Sequence, residues 1–448
     1  MNMLRNIKLS LWGVLLGLTG LWVMANTGLP QTLNFIAIRN LLVQYSGVIG
    51  IGVMSVAMVL ALRPVWLEPW LGGLDKSYRL HKWLGIAGLV AAVLHWVASN
   101  GPHWLVDLGW MERGARSPRS DPASLGTVQQ LLGGLRSPAE AAGEWAFYAV
   151  VLLIALALIK RFPYRLFAKT HTLIALAYLA LVFHAVVLMN FAAWTQPLGI
   201  VMGLLLAAGV VCAVLVLSRQ VGRRRRVEGS IAEQHHYPGM RVLETTIELE
   251  KGWHGHKSGQ FAFVTFDPKE GPHPFTIASA WDANNPRIMF ITKALGDYTD
   301  FLPERSKVGL KVMVEGPYGG FTFDDDAKRQ IWIGGGIGIT PFIARMKQLA
   351  RNPGAQAIDL FHSATELAPD ALKKLTADAA AANVSLHVMI DRRDGRLTGE
   401  KLRSTVPDWS SASVWFCGPA GFGAALHRDL VANGMTRRAF HQELFNMR

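Results

Sequence analysis

Six long apolar stretches fill the first half of the chain, at residues 9–25, 41–62, 80–98, 144–159, 170–189 and 197–217, with polar residues gathered between them. A helix needs roughly 20 residues to cross ~30 Å of hydrocarbon, so the pattern predicts six membrane-spanning helices, the fourth the shortest. The period then changes. Between residues 228 and 323, short alternating segments such as 241–249 and 260–266 are broken by Gly, Pro and Asp, which predicts a small antiparallel β-barrel. From Arg329 onward, strand-like runs at 330–333, 357–362, 385–390 and 413–416 alternate with helix-like ones, the pattern of a doubly wound α/β domain. The expected organisation is a membrane domain at 1–217, a basic hinge at 218–227, the barrel at 228–326 and the α/β domain at 327–448.

Composition narrows the classes. With 51% apolar and 17% charged residues the chain is neither disordered nor fibrous. Its net charge of +13 suggests nucleic acid until it is located along the chain. Residues 1–217 hold 15 basic and 7 acidic side chains, 218–226 hold 5 arginines, and 227–448 hold 25 of each sign. The excess flanks the apolar stretches, where topology and anionic lipid account for it, so nucleic acid is not an expected partner. Arg5 and Lys8 before the first stretch imitate a signal peptide, but the five stretches that follow favour an anchor. Placing the N-terminus in the cytoplasm puts 15 Lys and Arg at inner flanks and 5 outside: Arg39, Arg113, Arg116, Arg119 and Arg136. That bias directs the second half of the chain to the cytoplasm.

The histidines are the most informative membrane residues. His81 and His95 lie on the third stretch and His171 and His184 on the fifth. One such histidine is as readily a packing residue, but here two matched pairs occur. Separations of 14 and 13 residues set the members of each pair about 20 Å apart along a helix, one near each bilayer face. Fourteen steps return nearly to the same helix face and thirteen do not, so the fifth helix is expected to bend or to present its ligands asymmetrically. Pairing His81 with His171 and His95 with His184 would saturate two stacked haem irons axially, whereas zinc would need a tetrahedral cluster at one depth. Cys212 and Cys417 are too few for a disulfide framework or a thiolate site.

Two further clusters carry cofactor chemistry. An apolar run at 331–333 enters Gly334, Gly335, Gly336, Ile337, Gly338, Ile339, Thr340 and Pro341. Glycines that leave a strand and open a helix expose backbone N–H groups to a pyrophosphate, with Thr340 expected to cap the helix and Pro341 to stand first in it. In the barrel, His273, Pro274, Phe275 and Thr276 are followed by Lys293, Gly296, Asp297, Tyr298 and Thr299. Near the end stands Phe440, His441, Gln442, Glu443, Leu444, Phe445.

Together these residues resemble the bacterial ferric-reductase-like membrane flavocytochromes, relatives of the NADPH oxidases, over nearly the whole chain. The resemblance implies a six-helix haem-binding bundle joined to a ferredoxin-reductase-like pair of domains in the bacterial inner membrane. By it, the four paired histidines hold two haem b groups. The block from His273 to Thr276 binds FAD, with Phe275 against the ring and Thr276 near its reactive nitrogen. Lys293 with Gly296, Asp297, Tyr298 and Thr299 surrounds the FAD phosphates. The turn of Gly334, Gly335, Gly336, Gly338, Thr340 and Pro341 carries NADPH or NADH, with Cys417, Gly418 and Pro419 near the nicotinamide. Phe445 covers the flavin until the nucleotide displaces it.

Three features of this chain depart from the family pattern. Three residues follow Phe445; Ser363, Ala364, Thr365 and Glu366 supply no arginine for a 2′-phosphate, leaving Arg392 or Arg393; and Ser99 stands where the oxidases carry a further histidine. Arg39 is the candidate for a haem-propionate or acceptor contact.

The expected function is electron export from cytoplasmic NAD(P)H through FAD and two haems to a ferric chelate or a periplasmic redox partner. Superoxide production from oxygen is the second reading. A haem-binding anchor with a nucleotide-sensing half, or a tethered flavin reductase without haem, would be the outcome if flavin and haem were not wired together.

Overall fold

The computed structural model describes residues 3–26, 34–112, 126–159 and 161–443. They form two compact units: residues 4–64 with 77–221, and Val65–Lys76 with the chain from Gly222 onward.

The first unit is helical. Its long helices are α1 (Met3–Ala25), α2 (Phe35–Ala61), α3 (Leu74–Asp107), α4 (Arg136–Leu158), α5 (Tyr164–Leu188) and α6 (Pro197–Leu217), the six expected from the apolar stretches. All six are long and apolar enough to cross a membrane. The fourth helix starts eight residues before its apolar stretch, because a turn closed by the Arg136–Glu140 ion pair at 2.9 Å extends it into polar sequence. α2 lies along α6, and α4 along α5. Leu16, Leu152, Ile200 and Leu204 stay exposed on the outside of the bundle, as lipid-facing residues should.

Small residues let the helices approach. Tyr178 of α5 is fully buried and shares a 2.8 Å hydrogen bond with Ser55 of α2, and its ring occupies the space a side chain at Gly209 of α6 would need. With few apolar-burial gains available in lipid, such close packing and interhelical hydrogen bonding hold the bundle.

The second unit has two lobes. β1 (Arg226–Tyr237), β2 (Val242–Leu249), β3 (Phe261–Thr265), β4 (His273–Thr276), β5 (Arg287–Lys293) and β6 (Lys311–Tyr318) form an antiparallel sheet in the order β4-β3-β6-β1-β2-β5. The sheet curls until its edges meet, with a bridge between Ile277 and Phe290 and a 2.7 Å bond from the Ala278 N–H to the Met289 carbonyl. Ile231, Ile247, Val264, Phe290 and Val314 fill its interior.

The other lobe is a parallel sheet of β7 (Arg329–Gly335), β8 (Ala357–Ala364), β9 (Ser385–Ile390), β10 (Ser413–Cys417) and β11 (Phe440–Gln442), ordered β11-β10-β7-β8-β9. Helices α7 (Thr340–Arg351), α8 (Pro369–Ala381) and α9 (Ala420–Ala432) follow β7, β8 and β10. β7 outruns its apolar stretch by two residues, because Gly334 and Gly335 keep pairing with His362 and Ser363. Phe321, Phe323, Trp332, Phe342 and Trp415 pack edge and face in the core.

Candidate functional site

In the helical unit the four histidines meet in the expected pairs. The ring centroids of His81 and His171 lie 5.8 Å apart, and those of His95 and His184 lie 6.0 Å apart. Two metal–nitrogen bonds of about 2 Å, with ring centres about 1.2 Å beyond each nitrogen, give about 6.4 Å between centroids across one iron, a few tenths of an ångström more than either pair shows. The tautomers suit such a role. His81 Nδ1 faces the Ala57 carbonyl at 2.9 Å, His95 Nδ1 the Val43 carbonyl at 2.9 Å, and His184 Nδ1 the Ala139 carbonyl at 2.8 Å. A carbonyl only accepts, so Nδ1 carries the proton and leaves Nε2 with a free lone pair.

His171 is the exception. Its Nδ1 is buried with no hydrogen-bond partner, and its ring stacks on Phe167 at 5.1 Å. The helix α5 runs uninterrupted from Tyr164 to Leu188. Among the described residues no group of three or more His, Cys, Asp or Glu gathers to hold a metal.

A cavity of about 500 Å³ opens on the second pair, lined by His95, His184, Trp96, Phe147, Gln44 and Arg39. The Arg39 guanidinium donates to the Ala98 and Ser99 carbonyls, both at 3.1 Å, and to Asn40. Arg113, Arg116 and Arg119, assigned to the outer face from the sequence, lie outside the described residues.

In the barrel lobe, two motifs 20 residues apart come into contact. β4 places His273 against the one-turn helix Asp297–Asp300, where its ring stacks on Tyr298 with centroids 3.8 Å apart and planes 7° from parallel. Burial holds His273 down at about 4, hence neutral, and burial followed by Asp267 keeps the Tyr298 phenol protonated. The turn before Tyr298 is pinned by Thr299, whose hydroxyl accepts from the Leu295 N–H at 2.9 Å and donates to the Gly296 carbonyl at 3.2 Å. Lys293 closes β5 opposite Val242. Pro274 and Phe275 are half-buried, and Thr276 is buried opposite Phe261.

In the α/β lobe, β7 leads through a tight turn, Gly336–Ile339, into α7. Gly336 has φ of +56° and nothing within 4 Å of the place a Cβ would take, so its backbone faces open space. Gly338 packs on the Cys417 carbonyl, and a methyl at Gly335 would meet Pro419 at 2.9 Å and Gly418 at 3.4 Å. The turn and the residues Cys417, Gly418 and Pro419 therefore form one surface at the β7/β10 junction, where the strand order reverses and α/β sheets bind ligands. Thr340 differs from expectation. It is the first helical residue and donates its hydroxyl to the Ile337 carbonyl at 2.7 Å, because the turn ahead of it closes on its own; Pro341 follows in the first turn.

Phe445 lies outside the described residues. Its neighbour Glu443 has no role in the sequence reading, yet it is buried with Oε2 4.0 Å from Cys417 Sγ. Burial, aided by Asp75, pushes the Glu443 carboxyl up to about 8, and burial raises the Cys417 thiol further above its ordinary range. A lone acidic residue within an aromatic terminal segment is the signal that could have found it.

Residues 46–182 match the ferric reductase like transmembrane component and residues 230–322 match an FAD-binding domain. The two matches together give the domain architecture of the ferric reductase and NADPH oxidase-like flavocytochromes. It is 24% identical over 162 residues to a flavohemoprotein of Oceanobacillus iheyensis, covering 34% of this chain and 40% of that protein. It is 26% identical over 208 residues to the glycine betaine monooxygenase reductase subunit of Chromohalobacter salexigens, covering 42% and 56%. The chain thus spans about half the length of these relatives. The FAD/NAD-binding domain of a Vibrio cholerae nitric oxide dioxygenase superposes with a TM-score of 0.43 at 18% identity, over 49% of this chain and 98% of that one.

Proposed function

We propose that this protein carries electrons from cytoplasmic NAD(P)H, through FAD and two b-type haems, to a ferric chelate on the outer face of the bacterial inner membrane. The observation that carries the reading is the pairing of His81 with His171 and of His95 with His184 at 5.8 and 6.0 Å.

Bound FAD would supply two-electron acceptance and one-electron release, and the haems one-electron carriage between them. The chain's own residues do the positioning. The N–H groups of the Gly334–Gly338 turn and the start of α7 bind the nucleotide pyrophosphate, and Cys417, Gly418 and Pro419 border the nicotinamide. β4 and the helix carrying Tyr298 would hold the flavin, with Thr276 serving its ring and Lys293 and Thr299 its phosphates. Backbone carbonyls fix three of the four imidazoles with Nε2 free, and Arg39 at the rim of the cavity marks the acceptor side. The excess of Lys and Arg on the flanks assigned to the cytoplasm supports this orientation.

The test is anaerobic. Full-length protein with its haem and added FAD is given NADPH or NADH, and the haem absorption bands are followed. Reduction of both haems only when FAD is present supports the reading, and readmitting a ferric chelate or oxygen identifies the acceptor. Haem that stays oxidised while the flavin bleaches refutes it.

A further inference from the structure

The reductase unit holds a cavity of its own, of about 310 Å³, between its two lobes. The barrel lobe supplies one wall, with Ser279 after β4 and Arg287 and Met289 on β5; the α/β lobe supplies the other, with Lys347 and Arg351 on α7 and Asp378 on α8. Neither the glycine turn before α7 nor Cys417, Gly418 or Pro419 lines it. Lys347 stands seven residues into α7, about 10 Å along the helix from that turn. The cavity is thus a different place from the nucleotide surface, and its volume lies at the lower end of those that hold small molecules.

Most polar groups of the cavity have protein partners. Arg287 pairs with Glu233 at 3.0 Å and reaches Glu248 at 3.6 Å, Arg351 reaches Asp282 at 3.4 Å, and the Ser279 hydroxyl accepts from the Met289 N–H at 3.0 Å. Two opposite charges do not. The half-buried Lys347 ammonium meets only the Met289 thioether, at 3.6 Å, and a thioether is a weak acceptor. Asp378, half-buried on the neighbouring helix, forms neither an ion pair nor a side-chain hydrogen bond among the described residues. Burial lowers the Lys347 ammonium from its ordinary range and raises the Asp378 carboxyl, as unpaired charges drawn out of water should respond. A molecule that brings a carboxylate to the one and an ammonium to the other satisfies both. Between them the walls are apolar, formed by Met289, Met346, Ala350 and Ala381.

We propose that this cavity between the lobes binds a free α-amino acid with an aliphatic side chain, its carboxylate on Lys347 and its ammonium on Asp378. Bound there, it touches both lobes and ties one to the other, as an effector and not a substrate of the reductase. The proposal does not depend on the route of the electrons.

The test is a binding comparison on full-length, FAD-loaded protein by isothermal titration calorimetry. The probes are L-leucine, 4-methylpentanoate, which lacks the ammonium, 3-methylbutylamine, which lacks the carboxylate, and inorganic phosphate. L-leucine should bind at one site per chain, and each of the other three at least tenfold more weakly. Lys347→Met and Asp378→Asn should each weaken L-leucine at least tenfold, with FAD content unchanged as the sign that the fold persists. If either variant fails to fold, Ala350→Leu, which fills the cavity from its apolar wall, should abolish L-leucine binding instead. No binding of L-leucine up to about 10 mM overturns the proposal. So do phosphate or 4-methylpentanoate binding as tightly as L-leucine, which would make this a site for anions alone, and folded variants that bind L-leucine as the wild type does.

Discussion

The imidazole of His184 packs against Gly143 so closely that a Cβ at residue 143 would clash with its Nδ1. The same ring holds its tautomer through the Ala139 carbonyl, one turn earlier on α4. Gly143 is thus a requirement of the second histidine pair, and Gly47 stands beside His95, where a Cβ would come 3.3 Å from its Cε1.

It follows that Gly143→Leu should eject the His184 ring and lose one haem while the first pair keeps its own. Haem per chain, measured from the pyridine haemochrome, should fall from two to about one, as in His184→Ala. Retention of two haems in both variants would sink the assignment of His184 as a ligand.

The stack of His273 on Tyr298 yields a flavin prediction. An aromatic pair contributes about 0.5–1.5 kcal/mol beyond burial, so Tyr298→Ala should weaken FAD binding by roughly 2- to 10-fold. Tyr298→Phe, which keeps the ring, should bind FAD nearly as wild type. Fluorescence titration of the apoprotein with FAD measures both, and equal affinities for the alanine and phenylalanine variants would remove the stack from the flavin site.

Much of this site is legible in the order of residues. The apolar stretches locate all six long helices, because lipid demands a continuous apolar run, and the 14- and 13-residue spacings identify which histidines pair. The strand at residues 385–390 is legible to the residue, since its ends coincide with a change of pattern. Other features are hidden because they are tertiary. Nothing along the chain says that Tyr298 lies on His273, that Val65–Lys76 belongs with the reductase unit, or that Glu443 is buried beside Cys417. The early start of α4 escapes the apolar pattern because an ion pair, not an apolar face, extends it.

Nucleotide choice has a structural address. The end of β8 carries Ser363 and Ala364, paired with Met389 and Ile390 of β9, and β9 runs directly into Arg392 and Arg393. Both arginines are exposed, with Arg393 held to Asp394 at 2.9 Å. Replacing both with alanine should raise KM for NADPH about tenfold, the effect of roughly 1.4 kcal/mol, and leave KM for NADH near its original value. Steady-state reduction of an artificial acceptor reports this directly, and an equal rise for both nucleotides would place the 2′-phosphate elsewhere.

The turn at Gly338 makes a separable prediction. Its Cα packs on the Cys417 carbonyl, so Gly338→Ala must push apart β7 and β10 where the nucleotide would lie. FAD binding in the other lobe should persist while flavin reduction by NAD(P)H falls at least tenfold. Stopped-flow reduction beside FAD titration separates the two, and unchanged reduction would show that this contact does not shape the nucleotide site.

The pH dependence of stability has two arms with opposite signs. Burial holds His256, His273 and His362 down at about 4, against an ordinary 6.5. Their native forms exclude the proton, so their contribution is complete above about pH 6.5 and is lost as pH falls toward 4. Glu443 is the reverse: its native carboxyl, raised to about 8, keeps a proton that the unfolded chain releases near 4.5, so its contribution is lost as pH rises from 4.5 to 8. Between about pH 6.5 and 8 the histidines are silent and Glu443 alone acts, which costs about 2 kcal/mol across that window. The Tm of the FAD-loaded protein should therefore fall by a few degrees from pH 6.5 to 8, and Glu443→Gln should flatten that limb without changing the acid one. A limb that survives in Glu443→Gln would mean that another group carries the titration.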